Sequence, residues 1–379
     1  MDSNRSVFME ATTWSRDHDL FDYESSNVSR VNLAVNTLGT EFCDGLPHVV
    51  RSKSDVQVLA GPSQDKDATN LVRLVWRGQH PVVQRHAGSK RLWQVVRELP
   101  DKGHRLQEGD MVKLGRVRVR VRQVAISPED VFQPVCKSEG SEAPEVVVCN
   151  QQHVKDAPCR ICLSEGGEEG NPLIAPCNCC GSVQYVHVDC LRHWISERLH
   201  FTASDETDRS FFYKQLTCEL CHANYPIFVK DGEHSSMLAE VPEVSPPFVV
   251  LEQQPMNGVQ SGMYVLSLSA GKVIRLGRGH SVDVRIPDVS ISRCHATIRM
   301  DESGHCVLED SGSKFGTLVA VRSSRGLELT DNLVLQVEHT VLRLSRTPIE
   351  PHAPSTPIRE SSGEGLQDEG YLCSNEQSA

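Results

Sequence analysis

Cys159-Arg-Ile-Cys162, Cys177-Asn-Cys179, His187-Val-Asp-Cys190 and Cys218-Glu-Leu-Cys221 are the stretches that decide how this chain reads. In order they supply four cysteines, one histidine and three further cysteines, in four close pairs. Thiolate sulfur and neutral imidazole nitrogen are the donors that structural zinc takes, four at a time in a tetrahedron. Two pairs fill one such site, so four pairs predict two closed sites and two Zn2+ ions. The alternation of pairs favours a cross-brace, with Cys159, Cys162, His187 and Cys190 on one ion. Cys177, Cys179, Cys218 and Cys221 would hold the other, with Cys180 as a spare ligand beside Cys179. The Gly- and Glu-rich segment 163–176 cannot bury a core. Metal must therefore supply the folding free energy, on the order of 10 kcal/mol or more per site.

Composition bounds the rest. A length of 379 residues implies two or three domains. Hydrophobic residues at 39% suffice for cores, and a net charge of -11 argues against wholesale nucleic-acid binding. Seven of the fourteen cysteines lie outside the metal spacing (Cys43, Cys136, Cys149, Cys180, Cys294, Cys306 and Cys373). Scattered thiols in a chain of this length do not suit a disulfide scaffold. The polar N-terminus lacks the apolar core of a signal peptide, and no run of about eighteen apolar residues is present to span a membrane. The expectation is a soluble protein of the cytoplasm or nucleus, with no membrane span.

Along the chain, residues 1–27 are polar and aperiodic and read as disordered. From 28 to 133 short β-branched runs are broken by Gly, Pro and Asp, with strands expected at 71–76, 91–96 and 112–114. The clearest is Arg116-Val-Arg-Val-Arg-Val-Arg122, whose alternation puts Val117, Val119 and Val121 on a core face and four arginines on the other. A solvated face outweighs phosphate or nucleic-acid contact for those arginines. A linker is expected at 134–155, the zinc module at 156–230, and a second linker at 231–247. A β-rich domain follows at 248–345, and a disordered tail at 346–379. Leu106-x3-Asp110-x-Val112-x-Leu114 matches Leu327-x3-Asp331-x-Leu333-x-Leu335. Either the two β regions are distant copies of one fold, or two unrelated sandwiches both end in a hairpin.

The ligand order is shared by PHD and RING-CH fingers. The single residue between Cys177 and Cys179, the seven before His187, and Cys190-Leu-Arg-His-Trp194 make the module resemble a RING-CH (RINGv) finger. That resemblance implies a RING-type ubiquitin-protein ligase, a scaffold with no catalytic residue and no covalent intermediate of its own. It would recruit a ubiquitin-conjugating enzyme through Ile161, Trp194 and the loop that ends at Pro226. Such ligases often carry a basic residue just after the last ligand, where this chain has His222.

A second resemblance rests on Leu276-Gly-Arg-Gly279, Val284-x-Ile286, Ser290-Ile-Ser-Arg-Cys-His295 and Asp310-x2-Ser313-x2-Gly316-Thr317. Together they are similar to a forkhead-associated (FHA) domain, which implies a phosphothreonine pocket in the loops of a β-sandwich. Arg278, Ser292, Arg293 and Lys314 would bind the phosphopeptide, with His295 as a structural brace. FHA domains usually carry Asn where this chain has Phe315. If the β regions are copies, the N-terminal one is FHA-like too.

The expected architecture is therefore multidomain and mostly β: an N-terminal β-rich domain, a cross-brace two-zinc finger, a C-terminal FHA-like sandwich and disordered tails. The expected function is phosphorylation-directed ubiquitin ligation, with a phosphothreonine-bearing protein as partner. The alternative is a non-catalytic zinc-binding adaptor that recognises phosphoproteins. No GxSxG elbow, P-loop or HExxH motif points to other chemistry. Ser292, His295 and Asp310 have the residue types of a hydrolytic triad, but the FHA pattern accounts for their spacing.

Overall fold

The computed structural model describes residues 6–14, 20–36, 46–99, 101–132, 145–150, 152–167, 170–197, 210–214, 217–238, 244–254, 262–269, 271–322, 326–329 and 332–349. All but the first few residues of the expected tail at 346–379 lie outside them.

Strand Val117–Ala125 shows why the β regions fold as they do. Val117, Val119 and Val121 are buried, while Arg116, Arg118 and Arg120 face solvent, as the alternation predicts. The surprise lies in the core that these valines enter. They pack with Val249, Leu251, Ile274, Leu276, Ile298 and Leu308, all from the C-terminal β region.

The sheet order explains this. One sheet has eleven strands, in the order Phe211–Lys214, Gly262–Ser267, Phe248–Gln253, Val117–Ala125, Met111–Leu114, Thr317–Ala320, Leu92–Val95, Leu333–Val337, Thr340–Ser345, Ser6–Thr13 and Ser29–Asn36. A five-stranded sheet completes each half. One contains Val284–Arg285, Val273–Gly277, Ala296–Met300, Cys306–Asp310 and Gly103–Arg105. The other contains Leu327–Glu328, His80–Arg85, Ala68–Arg77, His48–Ser52 and Asp55–Leu59. Each sandwich thus takes its three closing strands from the other half of the chain. Residues 103–125 close the C-terminal sandwich, and residues 327–345 close the N-terminal one. At the centre, Leu92–Val95 pairs antiparallel with Thr317–Ala320, so the halves share one continuous sheet.

The exchange is large in energy. Val112, Leu114, Val117, Val119 and Val121 are all at least 98% buried in the core they join. At about 1.5–3 kcal/mol per buried aliphatic side chain, the sum rivals the whole net stability of a typical domain, about 5–15 kcal/mol. The hairpin turn is fitted to its host as well. Gly115 has φ +56 and approaches Ser290 so closely that a Cβ would lie 2.5 Å from its carbonyl oxygen. The backbone N–H of the next residue, Arg116, donates to Ser290 Oγ at 2.9 Å, and its guanidinium pairs with Asp288 at 2.8 Å.

Several expectations need correction. Residues 28–133 and 248–345 do not close as separate sandwiches. Ser6–Thr13, expected to be disordered, pairs with Ser29–Asn36 and Thr340–Ser345 and buries Val7, Met9 and Ala11. Its period-two pattern is short, and one partner lies at the far end of the chain. Both linkers contribute to the zinc module, because Glu145–Val147 pairs parallel with Phe228–Asp231, which pairs with His234–Met237. Within the zinc region, Phe211–Lys214 adds to the edge strand Gly262–Ser267, and Phe211 is buried with Phe248, Val250 and Val265.

Leu114→Ala should destabilise the C-terminal sandwich by about 2–5 kcal/mol through the cavity it leaves. Hydrogen exchange is expected to accelerate at 273–277 and 296–300. Acceleration confined to 48–85 would contradict the exchange.

Candidate functional site

The zinc module is built on two similar knuckles. In Cys159–Cys162 the N–H of Leu163 donates to the Cys159 carbonyl at 2.8 Å, and in Cys218–Cys221 the N–H of His222 donates to Cys218 at 2.9 Å. Leu163 and His222 both take left-handed φ values, 66° and 58°, which fold each pair of sulfurs to one side. The second pairs come from Cys177–Cys179 and from the start of helix Val188–Ser196, which His187 precedes and whose first turn carries Cys190.

The structure brings together Cys159, Cys162, His187 and Cys190, and separately Cys177, Cys179, Cys218 and Cys221. Within each group the donor atoms lie within 4.8 Å of one another, so the interleaved cross-brace is present. Cys180 is exposed and belongs to neither group. The spacing fits zinc. Zn–S bonds of about 2.3 Å give a tetrahedral edge of about 3.8 Å, and Cys179 Sγ lies 3.7 Å from Cys218 Sγ. His187 Nδ1 lies 3.3 Å from Cys162 Sγ and 3.9 Å from Cys190 Sγ. Its other nitrogen, Nε2, donates to the Gly166 carbonyl at 2.7 Å, which fixes the tautomer that leaves Nδ1 free for metal. Two Cys/His clusters of this kind are consistent with two zinc ions.

Sequence reasoning missed Arg160. Its guanidinium donates to Cys177 Sγ at 3.4 Å, to the Val183 carbonyl at 3.0 Å and to Tyr225 Oη at 2.9 Å. Four thiolates around a dication leave net negative charge, and this arginine offsets it. No local pattern marks it, because it lies inside the knuckle but serves the opposite cluster. Of the expected docking residues, Ile161 is 40% exposed, and Trp194 and Pro226 are half-buried. Trp194 packs edge-on against Tyr225 at 5.7 Å.

The residues expected to read phosphate also converge. The N–H of Arg278 donates to the Ser292 carbonyl, and that of Gly279 to the Arg293 carbonyl, both at 3.0 Å. The N–H of Lys314 donates to Ser292 Oγ at 3.0 Å, leaving that hydroxyl its own proton to donate. Arg278, Ser292, Arg293 and Lys314 therefore meet at one end of the sandwich, with Arg278 and Arg293 exposed. Asp310 organises the third loop, accepting from the N–H groups of Gly312, Ser313 and Thr317 and from the Ser313 and Thr317 hydroxyls. Arg97, from the other half, pairs with Asp310 at 3.0 Å. A second unforeseen contact lies above. Asp22 pairs with Lys314 Nζ at 3.3 Å, and the Tyr23 N–H donates to the Lys314 carbonyl.

His295 is a brace and not part of a triad. Its Nδ1 accepts the Ser292 N–H at 3.1 Å and its Nε2 donates to the Gly316 carbonyl at 3.2 Å, so both nitrogens serve backbone. Burial holds this imidazole below its ordinary pKa.

Two predictions follow from these geometries. The purified chain should carry two equivalents of zinc, and Cys218→Ser or chelation should unfold the described residues of 145–197 and 217–238, read by metal analysis and hydrogen exchange. A module that stays protected without metal would contradict this. Because the His295 pKa is lower folded than unfolded, its stabilising effect is full above about pH 6.5. It is lost as pH falls towards the folded value. The denaturation midpoint of wild type should drop across that range, and His295→Gln should flatten the drop.

Comparison with known proteins agrees with these geometries. A RING-variant domain matches residues 159–221, and an FHA domain matches residues 274–338. The probable E3 ubiquitin-protein ligase MARCHF10 of Rattus norvegicus is 41% identical over 63 residues, 17% of this chain and 7% of that protein. The ERAD-associated E3 ubiquitin-protein ligase DOA10 of Saccharomyces cerevisiae is 34% identical over 102 residues, 27% of this chain and 7% of that protein. The chain thus spans less than a tenth of the length of these two relatives. A solved structure from a study of phosphothreonine-dependent FHA domain interactions is 26% identical. It covers 27% of this chain and 99% of its own, at a TM-score of 0.16. The expectation of a soluble cytoplasmic or nuclear protein is corrected by the relatives, among them the ERAD-associated ligase DOA10. No helix among the described residues is long and apolar enough to cross a membrane. The chain carries a RING-variant zinc domain at 159–221 and an FHA domain at 274–338, in a mostly β architecture.

Proposed function

We propose that this chain is a RING-type ubiquitin-protein ligase that uses its FHA domain to select phosphothreonine-bearing partners. The observation that carries the reading is the pair of interleaved Cys/His clusters in a domain whose relatives are E3 ubiquitin-protein ligases. Such a module supplies no nucleophile. It works by orientation, holding a conjugating enzyme so that its thioester meets the acceptor amine in a reactive pose. Ile161, Trp194 and Pro226 are the side chains assigned to that docking surface. Exposed Leu163 and Leu220, 75% and 61% accessible, extend the apolar area at the two knuckles.

On the FHA side, Arg278 offers a planar fork to phosphate oxygens and Ser292 offers a hydroxyl. Arg293 and Lys314 add charge. An incoming phosphate competes with Asp22 for Lys314, and Phe315 brings no amide to hold the peptide backbone. Affinity therefore rests mainly on Arg278 and Ser292.

The test combines both ends. With a panel of conjugating enzymes and the zinc-loaded chain, wild type should build ubiquitin chains on itself. Trp194→Ala should slow this strongly while leaving zinc bound, and Cys177→Ser should abolish it. Arg278→Ala should weaken phosphopeptide binding by about 1.5–3 kcal/mol, tenfold or more, without changing autoubiquitination. Bound zinc with no transfer from any conjugating enzyme would favour the adaptor, and equal binding of plain and phosphorylated peptide would remove the FHA role.

A further inference from the structure

Where the two sandwiches meet, the outer face of the eleven-stranded sheet opens into a cleft of about 530 Å³. Four arginines line it: Arg85 and Arg91 from the N-terminal half, Arg120 from the exchanged hairpin, and Arg322 from the C-terminal half. Met111 and Gly109 are part of its wall. No lining residue is acidic. On a chain of net charge -11 this is a local inversion of sign.

Little inside the protein neutralises these groups. Arg322 pairs with the buried carboxylate of Asp110 at 3.2 Å, but that carboxylate also accepts from His104 and from the Gln107 N–H. Arg85 donates to the Ser89 carbonyl at 3.1 Å, and Arg91 lies 5.8 Å from the Trp93 ring, so neither contact supplies negative charge. Arg120 faces Glu252 across the strands, but that carboxylate pairs with Arg122 at 3.0 Å, and Arg120 forms no ion pair among the described residues. Gly109, at φ +83, leaves room for Arg322, whose Nη2 would lie 2.9 Å from a Cβ there. A second cleft of about 280 Å³ shares Arg91 and adds Lys90, Lys113 and Arg118, with Glu338 its one carboxylate. Glu338 is itself paired with Arg51.

We propose that this seam binds a compact, multiply phosphorylated small molecule, a ring bearing several phosphate monoesters. Guanidinium forks match phosphate oxygens in charge and geometry. A concave site focuses their field. The volume falls within the range of small-molecule sites, about 300–1,000 Å³. Single-stranded nucleic acid fits less well, because it needs exposed aromatic rings for base stacking and Trp93 is 6% exposed. The site is separate from the Arg278 loops and does not rest on the ligase reading. Its ligand would be a free polyphosphate or the same chemistry displayed on a lipid headgroup. Because three chain segments converge on it, occupancy would also clamp the exchanged hairpin in place.

The experiment uses the zinc-loaded chain of residues 1–379 and two probes. Inositol 1,4,5-trisphosphate is titrated calorimetrically, and vesicles with or without phosphatidylinositol 4,5-bisphosphate, matched in charge by phosphatidylserine, are sedimented. Saturable binding is expected that falls tenfold or more in Arg120→Ala but is unchanged in Arg278→Ala and in Arg285→Ala, an exposed arginine elsewhere. Binding of the free trisphosphate alone assigns a soluble ligand, and retention on the bisphosphate vesicles assigns a headgroup; either supports the site. Three results would overturn it: no saturable binding of either probe, equal losses in Arg120→Ala and Arg285→Ala, or an oligoribonucleotide binding through Arg120 where the trisphosphate does not.

Discussion

Leu114 and Val121 belong to the N-terminal β region by chain position and to the C-terminal core by packing, and the rest of the molecule depends on that burial. Neither sandwich has a complete core without strands lent by the other. Two modules that a linear reading would string on linkers become one interlocked β body. The pairing of Leu92–Val95 with Thr317–Ala320 makes the joint a sheet, held by backbone hydrogen bonds and not by side chains alone.

The zinc ligands were legible because metal spacing is local: each pair of donors is set by a turn of a few residues, and interleaving announces the cross-brace. The FHA span was legible for the same reason, since its motifs at 276–279, 290–295 and 310–317 are short and local. Alternation at 116–122 named the buried face of that strand correctly. It could not say which core the face enters, because period two carries no information on partners. The likeness between Leu106-x3-Asp110-x-Val112-x-Leu114 and the stretch from Leu327 held the missing clue. Two hairpins of the same pattern can occupy each other's place, and here they do. The matched FHA span runs to residue 338, so its last strand is continuous in sequence yet lies in the other sandwich. Arg160, Asp22 and Tyr23 had no local signature, since their roles arise from contacts distant in sequence.

Function inherits this interlocking. Phe211–Lys214, which lies between His187-x2-Cys190 and Cys218-x2-Cys221 in sequence, extends the edge of the C-terminal half by pairing with Gly262–Ser267. The loops of that half are in turn braced by the N-terminal half, through Arg97 on Asp310 and Asp22 on Lys314. Under the proposed function, a partner held at those loops is oriented by both halves of the β body, and catalysis by positioning depends on orientation. The arginine-lined seam lies on the same sheet, at the joint itself.

One cross-link tests strand exchange within the chain directly. Arg120 and Glu252 are facing partners on adjacent strands, although 132 positions separate them in sequence. Cysteines placed at both sites (Arg120→Cys with Glu252→Cys) and oxidised at low protein concentration should give a bond within one chain, mapped by peptide mass spectrometry. No bond, or a bond joining two chains, would contradict it.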